Sequence, residues 1–459
     1  MPPRTSLKAF LATARAALAA PSSKRTVPLT FVLGNESADL DSLCSALLLA
    51  YFHTYSPATP ATKRAPDGGG TNTLHIPVCH LHRADLALRP EFAAVLRDVD
   101  VKGEDVFTLE DVLPPSHRHY GGGTTNGTAK TEHVIDPEDT RWLLVDHNAM
   151  TGALGRVFGS RVFGCVDHHA DEDAVPRDAE IRVIEKSGSC MSLVLERCAD
   201  GWEALGAATP HHQNGEKSDN GIIDAQLARL ALAPILIDTT NLSDKNKTTA
   251  RDERAVALAE GKMAASSARA EGGEGEGEGG GGGYDRDAFF KRIMDLKEDI
   301  ADMSFHDVFR KDYKEWGVRN LRLGTSSVPR GFRYLVDTKA GGDAAGFVDA
   351  LNRWGRERDG RDLGEMDLVV LFPVFQDKGG VFRRELLVWA RSEAGVKAAK
   401  LFEEKWGETL ALQIWEDGSL DLDGDAEWRR CWAQRAVEHS RKQIAPMLRD
   451  ALKEVAGGG

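Results

Sequence analysis

A chain of 459 residues is long enough for two or three domains, and 41% apolar with 28% charged residues is ordinary for a globular protein. A net charge of −13 argues against a broadly basic nucleic-acid surface, although a local cluster of Lys and Arg could still bind an anion. No run of about 18 consecutive apolar residues suggests a membrane span, and six cysteines without CxxC spacing read as reduced, mostly buried thiols rather than a disulfide frame or a zinc knuckle.

Residues 1–20 are basic and alanine-containing with no acidic residue, a composition shared with mitochondrial presequences. An ordinary first helix over 6–18 is the preferred reading, and the expected compartment is the cytoplasm. The apolar run Leu29–Leu33 predicts a buried strand, followed by a polar loop over 35–41 and a helix over 43–51. That loop carries Asn35, Asp39 and Asp41. Positions two apart in extended chain point the same way, and convergent carboxylates repel unless a cation or proton lies between them. The alternative is that the two aspartates cap the helix.

After a Pro/Gly/Ala-rich loop at 56–73, residues 74–79 predict a strand placed at a sheet edge by Pro77. A polar stretch at 82–89 and a helix at 91–99 follow, then an insertion at 121–131 expected to be disordered. Strands at 142–145 and 161–166 end in Asp146-His147-Asn148 and Asp167-His168-His169. A strand at Ile181–Ile184 leads to Ser187-Gly188-Ser189-Cys190, which opens a helix to 198. A helix at 226–232 should end before Pro234, and the run 235–237, helix or strand, closes on Asp238-Thr239-Thr240-Asn241. Repeated strand–loop–helix units predict an α/β domain with a mostly parallel sheet flanked by helices.

Residues 271–283 are nearly all Gly and Glu and predict a flexible acidic linker between domains at 1–270 and 284–459. Beyond it we expect helices at 284–303, 307–316, 344–356 and 394–406, strands at 321–326, 368–375 and 386–390, and a terminal helical stretch from about 426 through 455. This is a second domain of the α+β class.

Element ends thus supply Asp39, Asp41, Asp146, His168, His169 and Asp238. Singly, each has a structural explanation as a cap, an Asx turn or a satisfied histidine. Together they suit hard to borderline divalent ions such as Mg²⁺, Mn²⁺ or Co²⁺, and two ions about 3.5–4 Å apart are plausible.

These motifs, in this order, resemble the DHH phosphoesterase superfamily. Within it the chain resembles the fungal-type exopolyphosphatases and, more distantly, the family II inorganic pyrophosphatases and prune-like proteins. The segments Arg310-Lys311-Asp312-Tyr313-Lys314-Glu315-Trp316 and Ser440-Arg441-Lys442-Gln443 resemble the phosphate-holding parts of their second, DHHA2-type domain. The resemblance implies metal ligands at Asp39, Asp41, Asp146, His168 and Asp238. It implies a proton-donating His169 near the scissile phosphate, catalytic roles for His169, Asn35 and Lys314, and phosphate binding by His169, Lys314, Arg441 and Lys442. Pyrophosphatases of this family carry His where this chain has Asn35, a change expected to favour Mg²⁺ and the exopolyphosphatase branch. Asp167 is left open as a ligand or as the partner of an imidazole. The implied activity is release of terminal orthophosphate from inorganic polyphosphate by a metal-bound hydroxide. A pyrophosphatase or nucleotide phosphodiesterase, or a non-catalytic phosphate-binding protein, is the alternative. No nucleic-acid or membrane partner is expected, and the chain is expected to act as a monomer.

Overall fold

The computed structural model describes residues 4–25, 27–56, 73–113, 135–207, 219–271, 284–357 and 365–457. The loop expected at 57–72, the insertion at 121–131 and the linker at 272–283 lie outside them. Two compact units result, the first running to Leu296 and the second beginning at Lys297.

The first unit is built on five strands, β1 (Leu29–Leu33), β2 (His75–Val78), β3 (Thr140–Val145), β4 (Val162–Asp167) and β5 (Ile181–Ile184). They lie in the order β2-β1-β3-β4-β5 and every pairing is parallel. β1 sits inside the sheet with all five residues buried, as an unbroken apolar run requires. Pro77 pairs with Val32 from the edge strand β2, where its missing N–H leaves no ladder bond unmade. The helices are α1 (Leu7–Ala19), α2 (Leu40–Tyr55), α3 (Pro90–Asp98), α4 (Leu109–Val112), α5 (Gly152–Phe158), α6 (Cys190–Ala207), α7 (Asp219–Asp238), α8 (Ala250–Glu271) and α9 (Arg286–Glu298). α1 is capped by Ser6 and buries Leu7, Phe10, Leu11 and Ala14, with Phe10 edge-on to Tyr51 at 5.5 Å.

One helix departs from expectation. α7 runs through Pro234 to Asp238, so Pro234 does not end it, and Asp238 is delivered by a helix rather than a strand. An internal proline costs about 3 kcal/mol. Here the residues around it, Ala231 to Ile237, are all buried, and packing on both sides offsets the lost hydrogen bond. The segment Asn220–Asp238 is long and apolar enough to cross a membrane by length and composition, and most of it is buried in the unit. α9, which the composition break assigns to the second domain, buries Phe289 and Ile293 in the core of the first.

The second unit holds α10 (Phe305–Lys311), β6 (Tyr313–Val318), β7 (Leu321–Val328), a π-helical turn at Tyr334–Lys339, α11 (Ala344–Glu357), β8 (Leu368–Gln376), β9 (Phe382–Ala390), α12 (Glu393–Trp406), β10 (Leu412–Ile414), β11 (Trp428–Gln434) and α13 (Arg441–Gly457). The sheet order is β10-β11-β9-β8-β7-β6, with β7–β8 parallel and the other pairs antiparallel. One apolar face takes Leu368, Val370 and Phe372 with residues of α12 and α13, and the other takes Val369 and Leu371 with residues of α10 and α11.

Two expected helices are shortened by strands. The helix expected at 307–316 stops at Lys311, because Tyr313–Val318 ladders with β7. The terminal helix begins at Arg441, because Trp428 and Trp432 alternate into the core with the two-residue period of β11. All six cysteines are buried and unpaired.

Candidate functional site

At the end of β1 the chain turns sharply at Gly34, where a Cβ would lie 2.9 Å from the Ser42 Cβ and its carbonyl oxygen. Asn35 follows, and its partners assign its amide. Oδ1 accepts from the backbone N–H groups of Ser37 (2.9 Å) and Ala38 (3.2 Å), while Nδ2 donates to the Asp146 carboxylate at 2.8 Å. Asn35 is therefore a brace from the loop to Asp146. Asp39 is the N-cap of α2 and accepts from Ser42 N at 3.0 Å.

Asp41 is not in the loop but in the first turn of α2. Its carboxylate crosses to the start of α6 and accepts from Cys190 N (2.6 Å) and Met191 N (2.9 Å), as well as from Ser45 Oγ (3.1 Å). A cap and a helical turn, not an extended loop, thus position the two aspartates.

β3 delivers Asp146, which is 2% exposed. Its Oδ2 accepts from Ser42 Oγ at 2.7 Å and from Asn35. β4 delivers the two histidines. His168 Nδ1 lies 3.0 Å from the Ser187 carbonyl oxygen, which can only accept, so Nδ1 carries the hydrogen. His168 Nε2 then faces the buried Asp146 Oδ1 at 3.1 Å. That contact is satisfied by a proton on Nε2, or by a divalent cation held beside the two groups. His169 lies beside them, its Nδ1 3.6 Å from the same oxygen, and the three residues are close enough to form a candidate metal cluster, although that Nδ1 donates its hydrogen to Asp167 Oδ1 at 2.8 Å.

The electrostatics agree. Burial, then the charges of Asp146 and Asp238, push the Asp41 carboxyl well above the usual range, with Asp39 adding to the effect and His168 opposing it. The other four residues expected as ligands are each within charge–charge reach of Asp41. Burial also works to raise Asp146, but the two imidazoles and the Ser42 hydroxyl outweigh it and hold that carboxyl below the usual range. Backbone strain is present here as well. Ala38 (φ 44°), Asp146 (φ 61°) and the run Thr240, Asn241 and Leu242 (φ 51°, 55° and 64°) all adopt left-handed conformations, costly for residues other than glycine. The donor set, oxygen-rich with an imidazole, fits a divalent cation.

Asp167 is resolved by its contacts. Oδ1 accepts from His168 N (2.8 Å), His169 N (3.1 Å) and His169 Nδ1 (2.8 Å), and Oδ2 accepts from Asn148 Nδ2 (2.6 Å). With these bonds on both of its oxygens and no exposure, Asp167 orients the two histidines. His147, between the motifs, points its Nδ1 at the Val145 carbonyl, and burial lowers its pKa to about 4.

In the second unit Lys314 lies on β6, opposite Thr325 of β7. Arg441 is the first residue of α13 and donates to the Asp312 carbonyl (2.8 Å) and carboxylate (2.7 Å), two residues before Lys314. Ser440 and Gln443 cap that helix, with Ser440 N donating to Gln443 Oε1 at 2.8 Å. Arg441 and the Lys314 strand are thereby joined at one sheet edge, with Lys442 exposed next to Arg441.

The polar stretch 82–89 is a weaker sequence candidate for reaching the site, without an assigned role, and Arg89 is the residue in it that does. Its buried guanidinium donates to the Ser37 (2.6 Å) and Ala38 (2.8 Å) carbonyls and clamps the loop that carries Asn35 and Asp39. It lies in the polar stretch 82–89, but nothing in the local pattern marks it as buried. Ser42 was passed over, although its place beside Asp41 in the motif was the available signal.

Comparison with known proteins gives consistent results. The DHHA2 domain family matches residues 291–451. A Schizosaccharomyces pombe protein assigned as an exopolyphosphatase is 27% identical over 93% of this chain and 92% of its own length. The rat and human proteins named exopolyphosphatase PRUNE1 are each 24% identical, covering 96% and 93% of this chain and 78% and 76% of theirs. A Methanococcus jannaschii protein solved and assigned as a family II inorganic pyrophosphatase superposes with a TM-score of 0.51 at 16% identity, over 92% of this chain and 99% of that one.

Proposed function

We infer that this chain, an exopolyphosphatase-like protein of the DHH superfamily whose second unit is a DHHA2 domain, is a hydrolase of phosphoanhydrides. We propose that its substrate is inorganic polyphosphate and its product terminal orthophosphate. The observation that supports a cation-dependent hydrolase is the facing pair His168 Nε2 and Asp146 Oδ1, with Asp39, Asp146, His168 and Asp238 each in charge–charge reach of Asp41; the choice of polyphosphate rests on the similarity to proteins named exopolyphosphatase.

Asp39, Asp41, Asp146, His168 and Asp238 are the proposed ligands of two divalent cations, with Mg²⁺ favoured by the preponderance of oxygen donors and by Asn35 in place of an imidazole. Such cations, when bound, polarise phosphoryl oxygens and make a water acidic enough to serve as nucleophile near neutral pH.

The chain's own residues do the rest. Asn35 and Ser42 aim Asp146 Oδ1 by holding Oδ2. Ser187 fixes the His168 tautomer. His169, with Nδ1–H held by Asp167, has Nε2 available to carry a proton toward the leaving oxygen, and the Asp167 charge stabilises the imidazolium. Lys314, Arg441 and Lys442 are the proposed phosphate-binding cations, Arg441 keeping donors beyond the two that Asp312 uses.

The test is orthophosphate release from pyrophosphate, tripolyphosphate, long polyphosphate and cAMP, with and without Mg²⁺ after chelation. Mg²⁺-dependent release from tripolyphosphate and long polyphosphate is expected. Hydrolysis confined to pyrophosphate or cAMP, or none at all, overturns the proposal.

A further inference from the structure

Asp252 belongs to no motif recognised above, yet it is fully buried and is among the most heavily hydrogen-bonded carboxylates in the protein. Its Oδ1 accepts from Ser187 Oγ (3.1 Å), Ser189 N (3.2 Å) and Ser192 Oγ (2.6 Å). Its Oδ2 accepts from Gly188 N (2.9 Å), Thr249 N (2.7 Å) and Thr249 Oγ1 (2.7 Å). Six donors saturate a carboxylate, which offers about four lone-pair sites. The two from Thr249 are local, an N-cap residue bonded to the third residue of α8. The other four come from residues 187–192, some sixty positions away in the chain.

That segment touches the candidate centre at three points. The Ser187 carbonyl accepts from His168 Nδ1 at 3.0 Å and fixes which nitrogen faces Asp146. Cys190 N and Met191 N bind the two oxygens of Asp41 at 2.6 and 2.9 Å. Gly188 has no room for a side chain, since a Cβ there would lie 2.8 Å from Asp252 Oδ2 and 2.7 Å from Cγ2 of Thr239, the residue after Asp238. Resting on the cation-centre reading above, we propose that Asp252 is a positioning residue that bolts the 187–191 segment in place and so sets His168, Asp41 and the Asp238 turn at once. A helix cap alone has no use for the four remote donors, whereas a carboxylate that holds the segment needs them.

The experiment measures Mn²⁺ affinity of the full chain, without substrate, by calorimetry or by loss of the free-ion EPR signal between pH 6 and 8, with melting temperature in chelator alongside. Asp252→Asn keeps the shape but turns an N–H₂ toward groups that can only donate. It is expected to weaken Mn²⁺ binding by about 10–100-fold, the usual cost of losing a group that orients ligands. It should also change the pH dependence of binding, because the His168 tautomer is no longer locked. Thr249→Ala removes only a local donor and is expected to lower the melting temperature with Mn²⁺ affinity unchanged. If Asp252→Asn does not fold, Ser192→Ala, which removes the 2.6 Å donor, is expected to weaken Mn²⁺ binding in the same direction. Wild-type Mn²⁺ affinity in the folded Asp252 variant, or in Ser192→Ala when that is the variant read, overturns the proposal. So does a loss of affinity in Thr249→Ala equal to that in the Asp252 variant, because the role would then be that of a cap. Mn²⁺ binding that depends on Asp252 in a chain that releases no orthophosphate would retain this inference and reject the hydrolase reading.

Discussion

Replacing Asp146 by Asn is the sharpest perturbation of the candidate centre, because the structure dictates how the amide must lie. The position of Oδ2 receives hydrogens from Ser42 Oγ at 2.7 Å and Asn35 Nδ2 at 2.8 Å, so the amide oxygen has to take it. The N–H₂ then occupies the place of Oδ1, 3.1 Å from His168 Nε2. There it donates to the lone pair that would otherwise bind a cation. One substitution therefore removes a ligand charge and masks a second ligand, while the two hydrogen bonds that hold residue 146 survive. Turnover is expected to fall at least about 10²-fold, equivalent to ~2.7 kcal/mol of barrier. Affinity for Mn²⁺ should fall in parallel, with little change in melting temperature in chelator. The assay is single-substrate orthophosphate release at saturating Mg²⁺, with calorimetric Mn²⁺ titration of the same samples. Near-normal turnover with intact metal affinity would refute the assignment of Asp146, and with it the cation centre.

Lys314→Ala is expected to reduce rate and affinity for short and long chains alike, measured on tripolyphosphate and long polyphosphate; a defect restricted to long chains would place Lys314 away from the reacting phosphate. Arg89→Met strips two buried carbonyls of their donors and is expected to cost about 2–4 kcal/mol of stability by denaturant melting, with weaker Mn²⁺ binding as the loop relaxes. Glu385, buried in the second unit, has its carboxyl pushed up to about 7, mainly by burial, against hydrogen bonds from Phe332 N and the Trp415 side chain. Its folded-state pKa lies above the ordinary 4.5, so the stability it contributes is full below that value and is lost as pH rises through 7. Glu385→Gln is therefore expected to melt higher than the parent at pH 8, by up to about 2–3 kcal/mol, and to show no such gain at pH 4; equal shifts at both pH values would contradict this.

Strongly patterned elements were legible in the sequence. The run Leu29–Leu33 can be buried on both faces only inside a parallel sheet, and Pro77 tolerates only an edge. Short or interrupted patterns misled. Pro234 looks like a helix terminator by local propensity, yet dense packing carries α7 past it. Residues 313–318 and 428–434 are compatible with helix until strand partners are known, and β-structure is stabilised by those partners more than by intrinsic preference. Asp39, Asp41, Asp146, His168 and Asp238 were candidates from motif order, but how the chain presents each of them was not legible. Asp41 was expected in a loop and instead reaches from one helix to the N-terminus of another.

The order of acidic and imidazole residues along the chain was enough to suggest a divalent-cation chemistry, because side-chain type limits what a group can bind. Which atoms face the candidate centre was settled only by folding. The Ser187 carbonyl selects the His168 nitrogen, Asn148 and the backbone amides occupy Asp167, and Arg89 and Asp252 hold segments distant in sequence. Each of these depends on a hydrogen bond between residues that meet only in the folded chain, and such partners leave no periodicity to read.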